Sequence, residues 1–271
     1  MQHRIISSGQ SDTGRQRSAN EDAFGLFDDV RLWVLADGMG GHAAGQVASQ
    51  MTVEEVGAFV KTMNPEARPW PFTPNPDAPF DATMLMNAVR VANVHVYNRS
   101  IREPEHKGMG TTVVAARQSA DRDRLYLASV GDSRCYRLRG SHFEQLTVDH
   151  SLLNHLVQEF GLSLEEAKSR VGSNVIVRAI GLEDDVLVDI FEIPLEEGDR
   201  FLLCSDGLSD LVPDEELHQK LMSARSLDRL TGDLIAAANQ AGGLDNITVI
   251  LLEARAEDTP VGVSTSESLG H

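Results

Sequence analysis

Apolar positions along this chain fall into short runs broken by Gly, Asp, Asn and Pro, and only a few stretches carry the three-to-four spacing of a helix. Ile5 to Gly9 reads as a first strand. Ala23 to Phe27 and Val30 to Ala36 read as an antiparallel pair that turns at Asp28-Asp29. Ala43 to Val60 puts Val47, Ala48, Met51, Val56, Phe59 and Val60 on one side of a helix. Asp81 is the expected N-cap of a second helix, whose stripe of Leu85, Val89, Ala92 and Val96 ends near Ser100. Between the two, residues 64–79 carry Pro65, Pro69, Pro71, Pro74, Pro76 and Pro79 and form a loop. Trp70 and Phe72 are expected to pin that loop to the surface. The two long helices are expected to cover one face of a sheet.

Thr111 to Ala116, Arg124 to Val130, Ser133 to Arg139 and Phe143 to Leu146 follow as a meander of strands. Their links are too short for the crossover helices of a parallel sheet, which predicts antiparallel pairing. Residues 149–181 interrupt the pattern. Ser151 to Phe160 and Leu164 to Val171 read as short helices, the second capped by Ser163, in an insertion of the kind that forms a flap. Val186 to Ile193 and Arg200 to Cys204 return to strand. Asp214 to Met222 and Ser226 to Ala238 are helical, and Gly242-Gly243 ends the second. Asn246 to Leu252, apolar on both faces, is a central strand. The predicted fold class is α+β, with one folded domain over residues 1–254. Residues 255–271 are small, acidic and Ser/Thr-rich, the composition of a disordered tail.

Length and charge narrow the function. With 271 residues and 41% hydrophobic content, the chain can bury one substantial core. No apolar run reaches the roughly eighteen residues of a membrane helix, and the N-terminus lacks the apolar centre of a signal peptide. Cys135 and Cys204 lie in apolar runs and read as buried free thiols. These features point to the cytoplasm and away from a membrane. The formal net charge of −17 opposes binding to a nucleic-acid backbone. It suits divalent cations, although an acidic surface also serves solubility alone.

The candidate chemistry is carried by aspartates. Asp37, Asp132, Asp206 and Asp245 each lie beside Gly or Ser where a strand begins or ends. Singly, each could be a turn residue or a cap. Together, in a dry cleft, they must be protonated or bridged by a cation. Oxygen ligands favour magnesium or manganese over zinc, and two such ions can lower the pKa of a water between them and neutralise phosphate oxygens. Arg15 and Arg17 are candidates for gripping a phosphate, against the plainer reading of a surface pair with Glu21 or Asp22. Glu21 could order a water, and His42, in a turn after Asp37, could donate a proton.

The motifs Arg-Ser-Ala-Asn-Glu-Asp (17–22), Ala-Asp-Gly-Met-Gly-Gly-His (36–42), Gly-Met-Gly-Thr-Thr (108–112), Val-Gly-Asp-Ser-Arg (130–134), Cys-Ser-Asp-Gly-Leu-Ser-Asp (204–210) and Asp-Asn-Ile-Thr (245–248), in that order, resemble the bacterial branch of the PP2C, or PPM, metal-dependent Ser/Thr protein phosphatases. The resemblance covers about Ile5 to Ala254. It implies a four-layer α-β-β-α sandwich, two antiparallel sheets flanked by helix pairs, with a dinuclear Mn2+ or Mg2+ centre at one end. By resemblance Asp37 bridges both ions, Gly38 gives its carbonyl to one, Asp206 and Asp245 bind the other, and Asp132 with Asp206 forms a weaker third site. Arg17 aligns with the phosphate-holding arginine and Glu21 with the acid that positions water, while Asn246 supports the Asp245 loop. Residues 149–181 resemble the family's flap. The implied reaction is hydrolysis of phosphoserine or phosphothreonine on proteins by direct attack of a metal-bridging water, reversing a Ser/Thr kinase, and the expected enzyme is a monomer. Met39 stands where animal members carry a histidine general acid, which leaves His42 or a metal-bound water for that role. The loop at 64–79 is longer than usual for the family.

Three rivals are weighed against this. Gly131-Asp132-Ser133 could mark a serine hydrolase, but such enzymes carry the triplet near the N-terminus with a late Asp/His pair that is missing here. A weakly active or inactive PP2C-like regulator that binds phosphoproteins would have lost ligands that this chain keeps. A two-metal phosphodiesterase of small nucleotides is the third.

Overall fold

Strand β3 (Leu32–Ala36) is buried at every position, which explains its unbroken apolar run: one face meets helices and the other meets a second sheet. The structure is a computed structural model and describes residues 2–40, 43–64, 66, 69–171 and 175–257. β3 pairs on one side with β2 (Ala23–Phe27) and on the other with β6 (Val113–Gln118), which pairs with β7 (Arg124–Val130) and then β10 (Asp189–Pro194), all antiparallel. The second sheet runs β1 (His3–Asp12), β12 (Ile247–Ala256), β11 (Arg200–Cys204), β8 (Arg134–Arg139), β9 (His142–Gln145), again antiparallel. β4 (Gly38–Met39) and β5 (Gly110–Thr111) make a small ribbon beside them.

The layers follow from strand alternation. Leu32, Val34 and Ala36 face α1 (Ala43–Thr62) and α2 (Phe80–Arg102), packing with Val56, Leu85 and Val89. Trp33 and Leu35 face the other way and pack with Phe201, Leu203, Ile250 and Leu252 between the sheets. Leu202, Val249 and Leu251 face α5 (Asp214–Leu221) and α6 (Leu227–Gln240). The result is the expected α-β-β-α sandwich. Within residues 149–181, α3 (Leu152–Phe160) is capped by Ser151, and α4 (Leu164–Arg170) by a reciprocal box between Ser163 and Glu166.

Four expectations need correcting. The meander is split: β6 and β7 pair in one sheet and β8 and β9 in the other, so the chain crosses between sheets at Gly131–Ser133. Asp81 is not a cap. The cap position is Pro79, and Asp81 instead pairs with Arg117 (3.0 Å), a buried ion pair across to β6. The strand expected from Val186 begins only at Asp189. β12 runs past the expected domain boundary at residue 254 to Ala256; the rest of the expected tail, 258–271, lies outside the described residues. In the Pro-rich loop, Trp70 packs against the α1/α2 core, and the Arg90 guanidinium sits 3.9 Å over the Phe72 ring.

Candidate active site

β3, β11 and β12 all present one end of the sandwich to the same place. Asp37 follows the last residue of β3, Asp206 follows β11 by way of Ser205, and Asp245 precedes β12. Asp132 lies on the crossing between the sheets. The structure brings these four together and adds a fifth, Asp22, next to the start of β2. Burial, then the charges of Asp22, Asp206, Asp132 and Asp245, hold the Asp37 carboxyl well above the usual carboxylate range. Burial and neighbouring Asp132, Asp210 and Asp245 push Asp206 up to about 8. Burial pushes Asp22 up to about 6, against hydrogen bonds that favour its charge. Asp132 is likewise raised to about 6, by burial and Asp149.

The motifs around these acids have mechanical roles. Thr111 Oγ1 and the Thr112 N–H donate to the Asp37 carbonyl (2.7 and 2.9 Å), and the Asp37 N–H donates to Thr112 Oγ1 (3.1 Å). Thr112 also meets Ser133 Oγ at 2.7 Å, which links Asp37 to the Asp132 crossing. Asn246 Nδ2 donates to the carbonyls of Thr13 and Ala19, both at 2.9 Å, and Asn246 Oδ1 accepts from the Glu21 N–H (2.8 Å). Asn246 thus ties the loop carrying Arg17 and Glu21 to the strand carrying Asp245. Gly38 is glycine because a Cβ there would lie 2.3 Å from the Gly45 carbonyl oxygen and 2.4 Å from that of Glu21. Gly207 allows the turn after Asp206 to approach Asn246, whose carbonyl oxygen would lie 2.0 Å from a Cβ.

Arg17 donates to Asp245 Oδ2 at 2.6 Å, with its side chain 52% exposed at the rim. The plainer alternative, a pair with Glu21 or Asp22, gives way to a pair with a member of the cluster. Arg15 packs against Gly243, to whose carbonyl its N–H donates (2.7 Å). Glu21 places its carboxylate against Gly45. His42 lies outside the described residues.

Sequence reasoning passed over Asp22 as a candidate ligand, though it closes the Asn-Glu-Asp motif. Its Oδ2 accepts from Ser205 Oγ (2.9 Å) and Thr248 Oγ1 (2.7 Å), residues of the two later aspartate motifs. The hydroxyl residues Ser205 and Thr248 within the two late aspartate motifs were the available signal. Asp210, quoted only as the end of a motif, adds its charge to both Asp132 and Asp206.

The donor set fits hard divalent cations. Asp22 Oδ1, Asp132 Oδ1 and Asp206 Oδ1 are buried and make no hydrogen bond, a costly state for carboxylates unless a cation takes up the lone pairs. Elsewhere, after α2, Glu103, Glu105 and His106 each bring one ligand atom within 4.8 Å of the others, a further three-residue group able to hold a metal.

The segment at residues 149–181 is fastened to this site. His150 Nδ1 accepts from the Gly131 N–H (3.0 Å), its Nε2 meets Asp189 Oδ2 at 3.1 Å, and Ile180 bridges to Thr111. Burial holds the His150 pKa below the ordinary histidine value, outweighing Asp189. An imidazole that accepts at Nδ1 is neutral. As pH falls through the ordinary value of about 6.5, the unfolded chain takes up a proton that the fold resists, so this contribution to stability is lost. His150→Gln is expected to lower the melting temperature at pH 8. The gap to wild type should narrow at pH 5, because glutamine does not titrate; thermal unfolding at the two pH values checks this.

An α+β sandwich with a cluster of aspartates at one end of its two sheets is the class that fold and site define. The protein phosphatase 2C family profile matches residues 10–242. The chain is 39% identical over 247 residues to the serine/threonine phosphatase stp of Listeria monocytogenes serotype 4b, covering 90% of this chain and 94% of that protein. Among solved structures, the serine/threonine phosphatase PstP/Ppp of Mycobacterium tuberculosis superimposes with a TM-score of 0.80 at 34% identity, over 93% of this chain and 99% of that one. The PstP catalytic domain in complex with two manganese ions gives 0.77 at 34% identity, with the same coverage. This chain belongs to the protein phosphatase 2C family.

Proposed function

We infer that this chain is a metal-dependent phosphatase that hydrolyses phosphoserine and phosphothreonine on proteins. The observation that carries the reading is the aspartate cluster, with buried oxygens lacking partners, beside a half-exposed arginine. Asp37, Asp206 and Asp245 would hold a pair of Mn2+ or Mg2+ ions with the Gly38 carbonyl, and Asp132 with Asp206 a third. When bound, these ions lower the pKa of a coordinated water and neutralise phosphate oxygens. The relative solved with two manganese ions supports the pair.

The remaining work falls to this chain's own groups. Arg17 offers a planar fork to two phosphate oxygens and steadies the charge that grows on them during in-line attack by water. Glu21, held through its backbone by Asn246, orients that water. His42 is assigned the proton for the departing serine or threonine oxygen. A phosphoenzyme is not part of the scheme: Ser205 is fully buried and its hydroxyl is committed to Asp22. Ser133 is buried too and paired with Thr112, which counts against the serine-hydrolase reading. The activity is placed in the cytoplasm, opposing a Ser/Thr kinase, in a monomer. Cys135 and Cys204, both buried and free, suit a reducing compartment. No helix among the described residues is long and apolar enough to cross a membrane.

The test is hydrolysis of a phosphothreonine peptide by wild type and Asp206→Asn, with manganese, magnesium or EDTA. Manganese-dependent release that falls about a thousandfold in the variant is expected. Release that survives both EDTA and the substitution would sink the reading. A folded wild type with no release, yet tight phosphopeptide binding, would favour the regulator.

A further inference from the structure

At the end of the sandwich opposite the aspartates, a cavity of about 600 Å3 opens between the start of β1, the β2–β3 turn and the β6–β7 turn. His3, Arg4, Arg31, Trp33, Gln118 and Arg122 line it. Asp28, Asp29 and Glu257 also line it, so its three arginines face three carboxylates. Arg31 Nε is buried and makes no hydrogen bond. Burial and the charges of Arg122 and Arg117 push the Arg31 pKa down, so its guanidinium lies among like charges. His3 is 4% exposed, and its buried Nδ1 also lacks a partner. Arg31 and Arg122 are held in the left-handed region at φ 54° and 61°, a costly backbone for a non-glycine residue.

The acids of the lining already have partners. Asp28 Oδ1 accepts from Ser7 Oγ (2.7 Å) and from the Trp33 indole N–H (2.8 Å). Asp29 pairs with Lys61 (3.2 Å), and Glu257 pairs with Arg122. Two buried nitrogens without partners, one of them on a guanidinium that lies beside two others, are together what an anion would satisfy. The volume is in the range of small-molecule sites and exceeds what one phosphate ion fills.

We propose that this distal cavity binds a small phosphate-bearing molecule through Arg31, Arg4 and His3, separately from the catalytic cleft. Inorganic phosphate and an organic phosphate share the chemistry, and their relative affinities tell the two apart.

Trp33 provides the reporter. The chain has two tryptophans, so Trp70→Phe leaves Trp33 alone, at the cavity wall. That protein, in EDTA, is titrated with inorganic phosphate, with AMP and with chloride at matched ionic strength. A saturable change in Trp33 fluorescence is expected with the phosphates and not with chloride. AMP binding more tightly than phosphate assigns an organic ligand, and equal binding assigns the inorganic ion. Adding Arg31→Gln should weaken the response at least tenfold, and Arg4→Gln, at an exposed position, should weaken it while leaving the fold intact. Arg17→Gln, at the catalytic rim, should leave it unchanged. Absence of a saturable change, a response that survives both Arg31→Gln and Arg4→Gln, or one abolished by Arg17→Gln would each overturn the proposal.

Discussion

Asp37→Asn is expected to cut turnover of a phosphothreonine peptide by about a thousandfold or more and, in EDTA, to raise the melting temperature above that of wild type. The two effects have one origin. Asp37 is half-buried among Asp22, Asp206, Asp132 and Asp245, and burial together with those charges holds its carboxyl well above the usual range. Without a cation, the native state must protonate this group or bear the repulsion. Asparagine keeps the shape and removes the charge, and the Thr111 and Thr112 bonds survive because they grip the main chain of Asp37. With manganese the order should reverse. A cation that binds only the folded wild type adds about 2.7 kcal/mol at a hundred times its dissociation constant, and a variant without the central ligand forgoes most of it. Thermal unfolding with EDTA and with manganese, beside peptide hydrolysis, measures both. A variant that melts below wild type in EDTA would mean that Asp37 contributes bonds to the apo fold that outweigh its repulsion.

Trp33→Ala should have the largest effect on stability, about 3–5 kcal/mol. Trp33 is 1% exposed and fills the layer between the sheets, against residues such as Leu35, Phe201 and Leu252. Its indole N–H also satisfies Asp28. Truncation opens a cavity where both walls are strands held in register by their own ladders, so little collapse can offset the loss. For a domain of this size the melting temperature should fall on the order of 10 °C. Trp33→Phe should lose less. Differential scanning calorimetry of both variants, manganese-loaded, makes the comparison, and a loss under 1 kcal/mol for Trp33→Ala would show that the layer repacks.

Local signals carried much of the fold. The β2–β3 pair, the two long helices and the Ser163 cap followed from turn residues, periodicity and capping chemistry. What local signals did not carry was partnership. Gly131–Ser133 looks like any tight turn, and nothing within it tells whether the following strand pairs with β7 or crosses to the other sheet; that is decided by Cys135 and Tyr136 finding Leu203 and Leu202 on β11. Asp81 has the type and place of a cap, but Arg117, distant in sequence, outbids the local backbone for its carboxylate. In the site, Asp37, Asp206 and Asp245 were legible because each ends or begins an apolar run. Asp22 was not, since it follows a polar loop, and its hydroxyl partners are supplied by strands at the far end of the chain.

The crossing at Gly131–Ser133 has a consequence for how this protein can change. Asp37 belongs to one sheet, Asp206 and Asp245 to the other, and Asp132 to the thread between them. The proposed reaction centre is thus a seam, and a cation held there would also staple the two halves of the molecule. Inheritance then acts on both properties at once. A substitution that lets the sheets slide by a fraction of an ångström is a catalytic mutation wherever it occurs, and a lineage that abandons the metal must find another way to hold its sheets together.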